Sequence, residues 1–600
     1  MARRTSFTPR RFFRKIWALG NFDVSPDGQF LAYCANKREQ WTVYVRELKT
    51  KREKALAKSK QSILNPEYSP DGQRIVIQSD FDGNENFNIY SVAAEGGEIS
   101  QLTNTPADSA SPRWSPDGTK IAFISNRDRD RDNVYVIDAN GGEAKQLTHT
   151  DDIVSEIAWR PDSRSIAFSA GVGFGDWIGL VDLDGEVEKI VNLPDSENYI
   201  GGEAARPEPW SPNGRELAFI SNVHDHLDIG ILDMENRMVR WLNENRWDKV
   251  NPVWSPDGSR IAYLENHHGN NQLRTITSSG RGTRRLSASE GAASRHVWHP
   301  DSRGLFYLHS TFVKPHEINL HQENRTTRIV ANASLRLPRR ELVMPKLVWY
   351  DSFDNRKIPA WLFVPPKARS RLAAVVDPHG GPEAQVLNEW DAIYQFMVAQ
   401  GYTVLAPNYR GGTGYGRKWR RISDRDLGGA DMKDIIEGGR WLLKRKYCPR
   451  NRLGIIGVSY GGYSVAHCLE QAPELWTAGV SIVGYFNWFT ASKNERGYLQ
   501  VYDRNKMGGL EENAQLFRKY SPIFYLDKIH APVCFTGGAH DPRCPVTEAR
   551  FMVDEMRKLG RTVDYLEFPD EGHWPRKISN EIRLYEFALN WLNRFLPNVQ

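Results

Sequence analysis

The sequence predicts two domains built on different plans, a seven-bladed β-propeller followed by a doubly wound, mostly parallel α/β sheet. Three observations predict this. A turn of the Pro-Asp-Gly kind recurs seven times at a nearly fixed interval. The repeats stop near residue 335, and strands then alternate with helices. A Gly-x-Ser-x-Gly pentapeptide, Gly457 to Gly461, stands between one of those strands and the helix after it.

The turn prolines are Pro26, Pro70, Pro116, Pro161, Pro212, Pro256 and Pro300, spaced 44, 46, 45, 51, 44 and 44 residues apart. An aromatic residue usually precedes the turn (Tyr68, Trp114, Trp159, Trp210, Trp254, Trp298), and an apolar strand such as Arg260 to Leu264 follows it. Pro and Asp set the turn and Gly completes it. Several strands per unit at a period near 45 mark a propeller, one blade per copy. The long interval before Pro212 must hold an insertion; it contains the polar loop Gly201 to Pro207. The expected boundaries are 1–19 for an N-terminal helix packing on the body, 20–335 for the propeller and 336–600 for the second domain. Thr8 to Ile16 reads as that helix, with Pro9 in its first turn, and Leu337 to Arg340 reads as a linker.

Beyond the linker, Ala373 to Val376, Thr403 to Ala406, Leu453 to Ile456, Gly479 to Val483, Pro532 to Phe535 and Val563 to Leu566 read as strands. Asp431 to Lys446, Val546 to Leu559 and Ser579 to Phe595 read as helices. Such alternation places a parallel sheet between helical layers, with functional groups at the carboxyl ends of the strands.

Ser459 then sits on the sharp turn from strand to helix, its hydroxyl lifted clear of the sheet. A serine hydroxyl is a weak nucleophile and needs a base, and the base needs an orienting acid. On an α/β-hydrolase sheet these follow in the order Ser, Asp, His. Asp541 follows one strand and His573 the next, so they are the expected partners, with His540 and Asp570 as rivals for the acid's place. A tetrahedral intermediate needs donors for its oxyanion. The Tyr460 N–H is one, the Gly381 N–H in His379-Gly-Gly-Pro382 is a second, and the Tyr415 phenol is read equally as a third donor or as a structural tyrosine.

At 600 residues the chain exceeds one core; 40% hydrophobic and 26% charged residues are ordinary for a soluble globular protein. A net charge of +5 implies no nucleic acid partner. No run of about 18 apolar residues occurs, so no membrane span is expected. The basic N-terminus lacks the apolar core of a secretion signal. Five scattered cysteines fit a reducing cytoplasm. No cofactor or metal site is expected; His224-x-His226 and His267-His268 lie in polar loops.

The Pro-Asp-Gly repeats, His379-Gly-Gly-Pro382, Asn408-Tyr-Arg410 with its glycine-rich tail, Gly457-Val-Ser-Tyr-Gly-Gly462, Asp541-Pro-Arg543 and Glu571-Gly-His573 together resemble the prolyl oligopeptidase family of serine peptidases, most closely its acylaminoacyl-peptidase branch. The resemblance implies a propeller capping an α/β-hydrolase catalytic domain, with the triad at the interface. It implies that Arg543 binds a substrate carbonyl, and that Tyr485, Phe486, Trp488 and Phe489 line the specificity pocket. Cys544, where an aliphatic residue is usual, and Trp574, where glycine is common, depart from the pattern. The expected function is hydrolysis of short peptides through an acyl-enzyme, by an acylaminoacyl-peptidase or related exopeptidase or oligopeptidase. An esterase or lipase on the same domain is the alternative, and a homo-oligomer is left open. A requirement for a free substrate amine would want a carboxylate, for which Glu203 is a candidate.

Overall fold

The computed structural model describes residues 7–13, 18–37, 39–59, 61–172, 175–202, 206–331, 341–366 and 372–597. The expected linker Leu337 to Arg340, the ends of the expected N-terminal helix and Glu203 lie outside the described residues.

Residues 18–330 form seven four-stranded antiparallel sheets. The turn sequence explains itself locally. Asp27 Oδ1 takes the Ser25 hydroxyl at 2.5 Å and the Gln29 N–H at 2.9 Å, and Gly28 completes the turn at φ 71°. Asp71 repeats the arrangement with Ser69 and Gln73. The aromatic before the turn has its own task. The indole N–H groups of Trp114, Trp159, Trp210 and Trp298 donate to Glu67, Arg113, Ala158 and Val253 carbonyls at 3.3, 3.0, 3.4 and 3.1 Å. Each acceptor lies on the first strand of the preceding blade, so the repeat carries its own stitch. Blade seven meets blade one through apolar side chains, with Phe22, Leu31 and Tyr33 against Val297, Phe306 and Leu308.

The first strands of the blades pack around the axis. The insertion before Pro212 reaches that axis. Arg206 pairs with Asp23 of blade one at 2.6 Å and Glu67 of blade two at 3.4 Å. Its carbonyl accepts from Arg295 of blade seven at 3.3 Å, and the Pro207 carbonyl accepts from Arg113 of blade three at 2.7 Å. A buried knot of charges therefore fills the axis where the open channel of a propeller would run.

The second unit is one eight-stranded sheet, Lys346–Asp351, Lys357–Phe363, Tyr402–Pro407, Ala373–Val376, Leu453–Val458, Ala478–Ile482, Val533–Gly538 and Val563–Phe568 in spatial order. The first two joins are antiparallel and the remainder parallel. Apolar clusters cover both faces, which is why the strands read as unbroken apolar runs. The short helix Pro9–Phe13 places Phe12 against Trp390 at 5.5 Å and Phe396 at 5.4 Å. Among the described residues no helix is long and apolar enough to cross a membrane.

Arg410, from the Asn-Tyr-Arg motif, is a buried clamp. Its fork grips Asp434 at 2.7 and 2.8 Å and Asp354 at 2.9 and 3.0 Å. It ties the loop after Tyr402–Pro407 to the helix Ala430–Lys444. Removing one partner strands a charge on the fully buried Asp434. Arg410→Ala is expected to destabilise this domain by about 3–5 kcal/mol, read from denaturant unfolding.

Candidate active site

The strand Leu453–Val458 runs out at Ser459, and the helix Tyr460–Gln471 begins behind it. Ser459 has φ 60° and ψ −122°, a conformation that costs a non-glycine residue about 1–3 kcal/mol. Neighbours hold it there: its N–H donates to the Ile482 carbonyl at 2.9 Å, and its carbonyl accepts from Tyr463 at 3.0 Å. The flanking glycines are a matter of space. A Cβ on Gly457 would stand 2.3 Å from the Gly461 carbonyl oxygen, and one on Gly461 would stand 2.2 Å from that of Pro378.

Asp541 and His573 follow the last two strands. Asp541 Oδ2 accepts from His573 Nδ1 at 2.8 Å. Its Oδ1 accepts the Arg543 and Cys544 N–H groups, each at 2.9 Å. A carboxylate fixed at both oxygens fixes the imidazole: Nδ1 carries the proton, and Nε2 keeps a free lone pair. The rivals drop out. His540 is exposed, and Asp570 is held by Lys577 at 2.6 Å and Asn580 at 3.1 Å. The Cys544 thiol hydrogen-bonds the Ser459 hydroxyl, and donor atoms of Asp541, Cys544 and His573 lie within 4.8 Å of one another. Serine, base and acid thus surround one thiol. Trp574, the other departure, lies against Tyr585.

Two backbone donors adjoin Ser459. The Tyr460 N–H is the first of its helix and has no helical carbonyl to bond. The Tyr460 side chain points away, donating to Asp431 Oδ2 at 2.6 Å; burial pushes that carboxyl up to about 7. A Cβ on Gly380 would lie 3.2 Å from that of Ser459, so the loop 379–382 runs against the nucleophile. Gly381, at φ 128°, lines the same cavity as Ser459. His379 stacks on Tyr409 at 4.2 Å, and the Tyr409 hydroxyl donates to the His379 carbonyl at 2.7 Å. Burial pushes the His379 imidazole down to about 4, so it stays neutral.

Tyr415 takes its structural reading. Its hydroxyl is engaged by Asn408 at 3.1 Å and by Gln385, and it does not line the cavity at Ser459. Tyr415→Phe is expected to cost less than about 3-fold in kcat, far from the roughly 100-fold that follows loss of a sole oxyanion donor.

The cavity at Ser459 has a volume of about 510 Å³ and is walled by both domains. Tyr485 and Trp488 line it. Phe486 and Phe489 do not, which corrects the expectation. Successive residues of an extended segment point to opposite sides, and Phe486 turns into the core against Phe535 at 5.2 Å. Phe489 packs on Phe517 and Phe524. Arg543 reaches the cavity with its Nε donating to Glu85 Oε2 of blade two at 2.9 Å. The propeller also contributes Glu156 and Tyr199. Sequence reasoning missed Glu85, Glu495 and Asp503, because no motif marks an acidic residue whose partner lies hundreds of positions away or whose burial is set by packing.

The His573 loop is backed by the propeller. A Cβ on Gly83, at φ 74°, would lie 2.5 Å from the Gly572 backbone nitrogen, one residue before His573. Lys577 pairs with Asp82 at 3.1 Å, and Asn36 donates to the Arg576 carbonyl at 2.8 Å. Gly83→Ala is expected to displace the histidine loop and lower kcat/KM by up to about 100-fold, with the circular dichroism of both domains retained.

A strained serine turn, an aspartate-fixed histidine and a propeller roof on one sheet define the class, an α/β-hydrolase closed by a propeller. The pattern of the prolyl oligopeptidase family matches residues 388–598, and that of the TolB β-propeller domain matches 21–198 and 197–336. The α/β-hydrolase unit is thus similar to the prolyl oligopeptidase family. It is 30% identical to dipeptidyl peptidase family member 6 of Caenorhabditis elegans, over 36% of this chain and 30% of that one. It is 25% identical to acylamino-acid-releasing enzyme 1 of Oryza sativa subsp. japonica, over 40% of this chain and 33% of that one. The match thus spans about a third of these curated relatives' length. The fold resembles a Mycobacterium tuberculosis puromycin-hydrolyzing peptidase at TM-score 0.85 and 17% identity, covering 99% and 97% of the two chains.

Proposed function

We propose that the protein is a serine peptidase that hydrolyses short peptides through an acyl-enzyme, as an acylaminoacyl-peptidase or related exopeptidase or oligopeptidase. The observation that supports the reading is the Asp541–His573 hydrogen bond at 2.8 Å close to the Cys544 thiol, which bonds the strained Ser459 at a cavity the propeller also lines. The Ser459 oxygen attacks the scissile carbonyl as its proton passes to His573 Nε2. The Tyr460 and Gly381 N–H groups receive the oxyanion. His573 returns the proton to the leaving amine, and water repeats the sequence on the ester. Arg543, at the cavity wall, is placed to hold a second substrate carbonyl. The names of the relatives support a peptidase that releases short units from a peptide end. A cytoplasmic setting is part of the reading, since all five cysteines are free and buried. The test is competition between acetylated or free short peptide amides and a fatty-acid ester, with fluorophosphonate labelling of Ser459. Turnover of peptides under about 30 residues with no cleavage of folded proteins is expected, because a closed propeller leaves only narrow routes inward. Turnover of the ester alone would return the esterase reading.

A further inference from the structure

The cavity at Ser459 is also lined by Cys544 and by two acidic side chains, Glu495 and Asp503. Glu495 closes the helix Trp488–Asn494, and Asp503 lies on the next helix, Gly497–Met507. Both are more than nine-tenths buried, at 9% and 8% exposure. Their carboxyls hydrogen-bond each other, which requires a proton between them. No group other than Asp503 is seen to donate to Glu495 Oε1. Among the described residues no lysine or arginine ion-pairs with either acid. The adjacent Arg496 is spent on blade two, donating to the Glu85 and Asn84 carbonyls at 2.9 and 3.0 Å.

Buried carboxyls without a cation are costly. Here burial pushes both groups up; the charge of Asp503 raises Glu495 further, while the hydrogen bond from Glu495 pulls Asp503 back down. With one shared proton the pair still presents one negative charge to the cavity. The route from nucleophile to acids is short in chemical terms. The Cys544 thiol touches the Ser459 hydroxyl and lies within the field of Glu495. Tyr485, on the wall, lies within the field of Asp503, Cys544 and Glu495 together. The cavity wall also carries the aromatic side chains Tyr485 and Trp488. Aromatic walls beside a paired acid suit a long alkyl stem with a cationic head. A guanidinium offers a planar fork to two carboxyls, and an ammonium offers a point charge.

We propose that this cavity receives the side chain of the residue whose carbonyl Ser459 attacks, and that it takes arginine or lysine, with Glu495 and Asp503 holding the cationic head. The proposal rests on the serine peptidase reading and names its substrate class. A free substrate amine is the other source of a cation, so the substrates must separate the two.

Acetyl-blocked peptide amides carrying arginine, lysine or norleucine before the scissile bond supply the first arm. Arginine and lysine are expected to exceed norleucine in kcat/KM by about 30-fold or more, since a site with buried polar groups discriminates against a ligand that leaves them unpaired. The arginine-to-norleucine ratio is expected to fall at least about tenfold in Glu495→Gln and in Asp503→Asn, and a ratio is insensitive to the fraction of protein folded. Equal rates for arginine and norleucine, or a ratio unchanged in both variants, overturn the proposal. So does a norleucine substrate with a free amine that outruns the blocked arginine substrate. The second arm is calorimetric binding of butylguanidinium against neutral butylurea to full-length Ser459→Ala. Guanidinium is expected to bind at least about tenfold tighter, and the difference to vanish when Glu495→Gln is added. Equal binding of the two overturns the pocket assignment. If fluorophosphonate fails to label wild-type Ser459, the peptidase reading falls, and the guanidinium arm still judges the pocket.

Discussion

Ser459→Ala is expected to reduce peptide turnover below detection while leaving thermal unfolding within about 1 kcal/mol of wild type. The hydroxyl is half-buried at the cavity wall, and its hydrogen bond to Cys544 is a weak one to a thiol. Little packing is lost with it. The backbone strain at φ 60° remains, because alanine carries the same Cβ. The measurement is the rate on a blocked peptide amide, with fluorophosphonate labelling as control. A variant that kept most of the rate would end the assignment of Ser459 as nucleophile.

The second large effect belongs to Asp541. Asp541→Asn keeps the volume of the side chain but places an NH₂ group opposite either His573 Nδ1 or the two N–H groups that Oδ1 now accepts. If the amide oxygen stays with Arg543 and Cys544, the NH₂ faces the imidazole and forces the proton to Nε2. The ring then cannot take the serine proton. A loss of about 10,000-fold in kcat is expected, with KM changed far less. A loss below about tenfold would show that His573 is oriented by something other than Asp541.

The parts of the site legible in the sequence were those governed by rules of chain order. Ser459, Asp541 and His573 each follow a strand of the parallel sheet, and that placement can be read without knowing any contact. The seven turns were legible because Asp27 and its counterparts bond their own neighbours two residues away. What stayed hidden depends on contacts between distant positions. Four residues after the nucleophile's neighbouring strand looked alike, yet Tyr485 and Trp488 face the cavity while Phe486 and Phe489 fill the core. Glu495 and Asp503 carry no mark in the sequence, because nothing in a single chain tells a buried acid from a solvated one. Tyr415 was undecided for the same reason: its partners, Asn408 and Gln385, become neighbours only on folding.

Arg206 bears on traffic. With Asp23, Glu67, Arg113 and Arg295 gathered around the insertion, the axis of the propeller is obstructed by ion pairs and hydrogen bonds that reach four blades. That leaves the seam where roof meets sheet as the alternative route to the cavity. Phe312 of blade seven anchors that seam in the apolar core, against Trp361 at 5.1 Å and Phe363 at 5.0 Å; elsewhere it is fastened by polar bonds, Arg496 to the Glu85 carbonyl, the Arg417 N–H to the Asp225 carbonyl at 2.7 Å, and Lys577 to Asp82. These yield to water and salt far more readily than an apolar core does. Traffic is therefore expected along the seam rather than through a pore. What then limits the size of a substrate is how far, and for how long, the seam parts.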